Sequence, residues 1–173
     1  MINLNLSLLG WVHTVACVVA MLAFVPVMLA RKGSQPHRRA GRVYSVAYVA
    51  LCLTSLGIYS LQRFWFPHWF AVGGLAVLGV GYLAARLKPR GWRYIHLTAM
   101  LLSAYNLFGG AVNEAYLRIR PLRELAGGDI GASPIVGMTH GVIMLVFVVL
   151  IGGYVGATVV SQARRGQTAV RPS

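Results

Sequence analysis

The segment that decides the fold runs from Trp92 to Arg118 and reads WRYIHLTAMLLSAYNLFGGAVNEAYLR. It is long and apolar enough to cross a bilayer, because a membrane-spanning helix needs about 20 mainly apolar residues. It also carries groups that hydrocarbon excludes, among them an imidazole at His96 and a carboxylate at Glu114. An unpaired polar group in lipid is costly. We therefore expect these side chains to face other helices.

The polar residues of this segment share one helical face. Positions 96, 100, 103, 107, 110 and 114 follow steps of four and three, which align them along one stripe of a helix. His96 and Glu114 are about five turns apart, or roughly 27 Å along the axis, so they lie near opposite membrane surfaces. Asn106 and Asn113 flank the stripe. The spacing predicts a helix whose polar face points into a bundle.

The whole chain has the composition of an integral membrane protein. Of its 173 residues 57% are hydrophobic, the mean hydropathy is +0.67 and only 11% are charged, whereas a soluble domain carries about a quarter charged residues. One core cannot hide so much aliphatic surface, so lipid must solvate much of it. We expect a single integral membrane domain over residues 1–173 that is in contact with the lipid bilayer.

Five segments are predicted to span the membrane, and together they indicate an all-α, polytopic helix bundle. The predicted helices cover residues 6–30, 43–62, 69–87, 92–117 and 134–160. Pairs of small residues four apart, which allow helices to approach closely, begin at Gly81, Gly152 and Gly153. Cys17 and Cys52 lie inside apolar segments without CxxC spacing, so we expect free thiols rather than a zinc site or covalent haem.

The basic residues define an orientation. A net charge of +13 often indicates nucleic-acid binding, but no hydrophilic domain exists to hold a nucleic-acid surface, and we expect no such partner. Twelve of the 16 Lys and Arg residues fall in the stretches RKGSQPHRRAGR and RLKPRGWR and in the tail from residue 161. These stretches all lie on one side of the predicted bundle. The positive-inside rule then predicts an outer amino terminus and an inner carboxyl terminus.

One histidine lies near the beginning of each predicted helix. With this orientation the outer side holds His13, His68 and His140, and the inner side holds His37 and His96. Two imidazoles from different helices at matching depth can clamp a b-type haem. We therefore predict that the inner pair binds haem iron and that an outer pair is drawn from the other three, with His13, His96 and His140 the favoured iron ligands.

Each candidate also has a structural explanation, which the sequence leaves open. His68, within FPHWF, fits an interfacial aromatic ring, and His37 fits a solvated basic loop. His96 fits a hydrogen bond to a helix terminus or a lipid headgroup. Glu114 fits an ion pair with Arg118 four residues later. Among intramembrane positions, ionisable residues are nevertheless functional candidates by default.

Two stretches resemble a family of small prokaryotic membrane proteins that is known as a domain of unknown function. They are KGSQPHRRAGRVY at residues 32–44 and NLFGGAVNEAYLR at residues 106–118, and the resemblance extends over most of the chain. The resemblance implies a multi-pass protein of the bacterial cytoplasmic membrane and carries no established activity.

The alternation of histidines between membrane sides is similar to the di-haem core of cytochrome b561 and its ferric-reductase relatives. That similarity implies electron transfer across the membrane, with a quinone or small reductant as partner. By position, His13 and His68 match the outer pair and His37 and His96 the inner pair. The spacings of 24, 31 and 28 residues are shorter than the family leads one to expect, and His140 is a rival outer ligand. With these departures, one haem or none are alternatives to the two haems of that family.

Three classes of function follow. The first is electron transfer by a bis-histidine haem b protein, in which Asn106, Asn113 and Glu114 contact a quinone or relay protons together with His13 and His140. The second is a small carrier in which His and Glu move protons or bind a metal ion, and here a homo-oligomer would supply the duplicated half that transporters often have. The third is a non-catalytic membrane subunit or assembly factor, whose polar residues pack helices together.

Overall fold

The structure is a computed structural model that describes the backbone of residues 7–58, 66–127 and 131–169, and their side chains except at 66, 67 and 158–169. Six helices cover most of these ranges. They are α1 (Leu8–Leu29), α2 (Gln35–Gly57), α3 (Phe66–Leu87), α4 (Trp92–Arg118), α5 (Arg120–Leu125) and α6 (Pro134–Ala169). The predicted all-α class is confirmed.

Five of the helices, all except α5, are long and apolar enough to cross a membrane. Their outward faces carry large aliphatic side chains, such as Leu22, Val46 and Leu145, each of which is more than half exposed. In water such a surface would be strongly unfavourable, whereas lipid solvates it at no cost. The chain is therefore a multi-pass membrane helix bundle whose outer surface suits a bilayer.

The second helix begins eight residues before the predicted position, at Gln35 rather than at residue 43. Ser34 caps it, since its hydroxyl accepts a hydrogen bond from the His37 backbone N–H, and Pro36 lies in its first turn. Both are favourable features of a helix start. The predicted boundary was wrong because hydropathy detects the apolar part of a helix, whereas the cap determines where the helix begins. The predicted end at residues 59–62 lies outside the described residues.

Two antiparallel hairpins form the body of the bundle. One consists of α1 and α2, the other of α3 and α4, and α2 packs against α3. The connections α1–α2 and α3–α4 lie at the same end of the molecule, which we call the basic end because it holds Arg31, Lys32, Lys88 and Arg90. The other end, where α4 finishes and α6 begins, is called the opposite end.

The fourth helix is the centre of the bundle. It packs against α1, α3, α5 and α6, and a third of its most apolar window is buried, compared with 11% for α6. In the middle of the predicted stripe, Ser103 and Leu107 are fully buried, while His96 and Glu114 at its two ends are partly buried. The prediction that this face points into the bundle is confirmed.

Aromatic rings fill the centre between the hairpins and α6. Tyr44 and Tyr48 stack with their ring centroids 5.7 Å apart. Phe24 meets Phe108 edge to face at 5.7 Å, and Phe147 of α6 lies 6.0 Å from Phe108. Aromatic pairs at such distances add to the free energy of burial. This packing closes the middle of the bundle to water.

The small-residue pair of α3 lies in a helix contact, whereas those of α6 face outward. A Cβ atom added at Gly81 would lie 3.0 Å from Met100 Sδ and 3.2 Å from Ala99 Cβ, so this glycine allows α3 to approach α4, as predicted. Gly152 and Gly153 are exposed, and no described atom lies within 4 Å of the position that a Cβ would take. Within the described residues, the α6 glycines therefore do not mediate a helix contact.

Candidate functional site

Two histidines at the basic end are held in the same way. His37, in the first turn of α2, has Nδ1 3.1 Å from the carbonyl oxygen of Val27 in α1. His96, in the second turn of α4, has Nδ1 2.8 Å from the carbonyl oxygen of Gly81 in α3. A carbonyl oxygen only accepts hydrogen bonds, so each Nδ1 must carry the proton and donate it. In the neutral imidazole Nε2 is then an unprotonated nitrogen with a free lone pair.

The two histidines belong to different hairpins, and both lie at the basic end. His96 acts electrostatically on His37. Within the described part of the chain no hydrogen-bond partner reaches Nε2 of either ring. The structure therefore holds both members of the predicted inner pair at the same end of the bundle and orients each ring through its Nδ1 atom. The alternative that His96 bonds a helix terminus is compatible with this arrangement, because that bond uses only one nitrogen.

The surroundings of His37 combine open space with positive charge. Gly41 lies one turn further along α2, and no described atom lies within 4 Å of the position that its Cβ would occupy. Lys32 Nζ donates to the carbonyl oxygens of Val27 and Met28, each at 2.9 Å, and partial burial lowers the pKa of this ammonium group. Lys32 and His37 together satisfy the carbonyls at the end of α1, where cations are favoured. The interpretation of His37 as part of a solvated loop is wrong, because it is partly buried in a helix.

A second polar group, the outer cluster, lies at the opposite end and comprises His13, Thr54, Asn113, Glu114 and His140. His13 Nδ1 is 3.1 Å from Thr54 Oγ1. The Thr54 hydroxyl hydrogen is directed to the backbone carbonyls of α2, so Nδ1 of His13 donates to the hydroxyl oxygen. His13 is also within electrostatic range of Glu114. The α1–α2 hairpin thus meets α4 at this cluster.

On its other side the outer cluster connects α4 to α6. His140 Nε2 is 2.9 Å from Asn113 Oδ1, an acceptor, so Nε2 carries the proton. The Nδ1 edge of the same ring faces α4, where a Cβ added at Gly109 would lie 3.6 Å away. His140 is therefore held against α4 by both edges of its ring. This differs from the inner pair, in which Nε2 is the nitrogen left available.

The remaining candidates have other surroundings. Glu114 forms an ion pair with Arg118, which confirms the predicted i,i+4 pairing. His68 is buried against the protein, with only 4% of its surface exposed. Asn106 belongs to the middle of the bundle and not to the outer cluster. Its Oδ1 accepts from the Tyr48 hydroxyl at 2.9 Å, and its Nδ2 donates to the carbonyl of Phe70 at 3.0 Å.

A set of buried, hydrogen-bonded polar side chains lies between the two ends, and the sequence alone did not predict it. We call it the polar ladder, and its members are Tyr44, Ser103, Tyr48 and Asn106. Tyr44 shares a hydrogen bond of 2.8 Å with Ser103, and Tyr48 bonds Asn106 as described above. The Tyr48 hydroxyl lies directly against Gly74, where any Cβ would collide with it. Tyr44 and Tyr48 are four residues apart and hence on one face of α2. That spacing, in the middle of a membrane helix, is the signal that would have found them.

The described residues were compared with the ligand sets of protein metal sites. Among the described residues, no group of three or more His, Cys, Asp or Glu side chains converges to hold a metal ion. Cys17 and Cys52 are free thiols, the second of them buried.

Comparison with known proteins adds no assignment. No protein-family model, no curated protein and no solved structure matches this chain. The function must therefore be argued from the geometry of the two polar sites.

The hydrogen bond between Tyr44 and Ser103 can be tested by a double-mutant cycle. Ser103→Ala leaves the buried Tyr44 hydroxyl without its partner, and we expect it to lower the free energy of unfolding by about 1–2 kcal/mol. Tyr44→Phe removes the other half, and in the double variant the loss should be smaller than the sum of the two single losses. Denaturation in mixed micelles, followed by circular dichroism, measures all four proteins. Additive losses would show that the two hydroxyls do not interact.

Proposed function

We propose that this chain is a membrane electron-transfer protein in which His37 and His96 hold a b-type haem at the basic end. The observation that carries the proposal is their common arrangement, in which each Nδ1–H donates to a backbone carbonyl of the preceding helix and leaves Nε2 available. Proteins orient imidazole metal ligands through such second hydrogen bonds. Ligation by two histidines leaves no open position on iron, so the chemistry is electron transfer rather than oxygenation.

The donor set fits this cofactor. Haem iron takes neutral imidazole nitrogens, and the two Nε2 atoms come from rings on different helices at the same end of the bundle. One turn along α2 from His37, a Cβ added at Gly41 would meet no neighbouring atom within 4 Å. A bound haem supplies one-electron redox chemistry. The chain itself fixes the tautomer and orientation of both rings, and its packed aromatic centre keeps water from the interior.

The outer cluster is the proposed contact for the second redox partner, a quinone or small reductant. Quinone oxygens accept hydrogen bonds when oxidised and donate them when reduced. Nδ2 of Asn113 can donate to such an oxygen, and Nε2 of His13, which is unprotonated in the neutral ring because Nδ1 donates to Thr54, can accept from the reduced form. A quinol that gives up electrons also releases protons. In this proposal the Glu114 carboxylate and the His13 imidazole, which interact electrostatically, accept these protons.

The visible spectrum of the purified full-length protein tests the proposal. We expect a Soret band and sharp reduced bands, typical of six-coordinate haem b, that do not shift when carbon monoxide is added. The complete hydrogen bonding of the Tyr–Ser–Asn ladder favours a second function, that of a non-catalytic subunit whose polar groups only pack helices. A stable, colourless protein that fails to take up added haem would support that function and overturn the first.

The proposed orientation has an outer amino terminus, an inner basic end and a location in the bacterial cytoplasmic membrane. It rests on the excess of Lys and Arg at the basic end. In a background without Cys17 and Cys52, we expect Ala132→Cys in intact cells to react with a membrane-impermeant maleimide. Gln35→Cys should react only after the cells are broken, since it lies at the basic end. The reverse labelling pattern would invert the orientation.

A further inference from the structure

A groove runs along the outside of the first hairpin, and its described lining residues include no member of the inner histidine pair or of the outer cluster. It lies between α1 and α2, has a volume of about 670 Å³ and is open to the surroundings. Its walls are apolar side chains such as Val15 and Val19 of α1 and Val43 and Val46 of α2, and Trp11 lies towards one end. The dimensions and chemistry of such a groove suit a hydrocarbon chain.

Among the described residues that line the groove, Arg42 is the one that carries a charge. It lies towards the basic end, since α2 starts there at Gln35. Among the described residues no carboxylate pairs with it, because Glu114 and Glu124 form ion pairs with Arg118 and Arg120. An arginine at this depth keeps its aliphatic part against apolar surface and extends its guanidinium to the headgroup region. In the headgroup region an anion would stabilise the charge of this guanidinium group.

The groove is formed before any ligand enters. The two helices that make it are joined at the basic end by the His37 to Val27 hydrogen bond, and towards the opposite end by the His13 to Thr54 hydrogen bond. A site whose walls are already fixed loses little conformational entropy on binding.

We propose that the α1–α2 groove binds one anionic phospholipid, with an acyl chain along the valine walls and its phosphate on Arg42. Basic pockets between membrane helices recognise anionic headgroups in this way. The guanidinium donates to two phosphate oxygens at once, which an isolated lysine cannot do. Neighbouring cations of the basic end, such as Arg38 and Arg39, disfavour a zwitterionic lipid, whose headgroup carries its own positive charge. The site does not depend on the proposed haem function.

Native mass spectrometry of the full-length protein in neutral detergent provides the test. The probes are phosphatidylglycerol and phosphatidylcholine of identical acyl chains, added in equal amounts. We expect wild-type protein to retain one phosphatidylglycerol per chain in clear preference to phosphatidylcholine. Arg42→Gln should weaken binding of phosphatidylglycerol about tenfold, as loss of a charge-assisted hydrogen bond implies, and bring the two lipids to equal occupancy.

Two further variants make the result specific. Arg90→Gln removes the same charge from the basic end but outside the groove, and it should leave the preference for phosphatidylglycerol intact. Val46→Trp obstructs the groove at an exposed position, where it should not disturb folding, and it should reduce retention of both lipids. The proposed site would be overturned if Arg42→Gln and Arg90→Gln lowered the binding of phosphatidylglycerol equally. Equal binding of both lipids by wild-type protein would also overturn it, as would full lipid retention by Val46→Trp.

Discussion

His96→Ala is expected to remove at least about nine-tenths of the haem that copurifies with the chain, and His37→Ala should do the same. Loss of even an outer-shell partner of a metal-binding histidine costs about 10–100-fold in affinity, and loss of the ligand itself should cost no less. Both rings are partly buried and are held by a single hydrogen bond to the backbone. Truncation should therefore leave a space at the iron without unfolding the helix.

The absorbance of the Soret band per chain measures this effect. Ile95→Ala, at the neighbouring and more exposed position, serves as the matched control and should retain full haem. Added imidazole should restore the reduced spectrum of His96→Ala, because the free ring can occupy the space of the lost side chain. If His96→Ala keeps its haem while His13→Ala or His140→Ala loses it, the iron lies at the outer cluster and the assignment to the basic end is wrong.

Gly74→Ala is expected to destabilise the bundle by about 2–4 kcal/mol. A methyl group there collides with the fully buried Tyr48 hydroxyl. The variant therefore combines the strain of overpacking with the loss of the Tyr48 to Asn106 hydrogen bond. The change of glycine to alanine in a helix would otherwise stabilise it by up to about 1 kcal/mol. Steric conflict thus outweighs helix propensity at this position.

The next residue supplies the control. Gly73 is exposed, and no described atom lies within 4 Å of its potential Cβ, so Gly73→Ala should be neutral or slightly stabilising. Tyr48→Phe removes the colliding oxygen, and it should recover part of the loss when combined with Gly74→Ala. Unfolding in mixed micelles, followed by circular dichroism, gives the free energy of unfolding of each variant relative to the wild type. Equal stability of Gly73→Ala and Gly74→Ala would show that the Tyr48 hydroxyl does not lie in the notch, that is, the space beside Gly74 that a Cβ would fill.

The histidines illustrate how far a sequence can predict a site. Their spacing along the chain predicted that His37 and His96 share one end of the bundle, and the structure places both in the first two turns of helices that begin at the basic end. Spacing could not reveal which nitrogen of each ring remains available. That depends on the carbonyls of Val27 and Gly81, which belong to other helices. The same limit hid the bond between His140 and Asn113, since its geometry depends on how α6 packs against α4.

The sequence by itself determined that the chain forms membrane-spanning helices and which face of α4 is turned inward. In hydrocarbon every backbone polar group must bond within its own helix, so the length of an apolar run decides a span regardless of its neighbours. Only the tertiary structure decided that Tyr48 enters the notch at Gly74 and that the α6 glycines face outward. Lipid solvates all apolar faces of a helix equally, so hydropathy does not specify which of them packs against another helix.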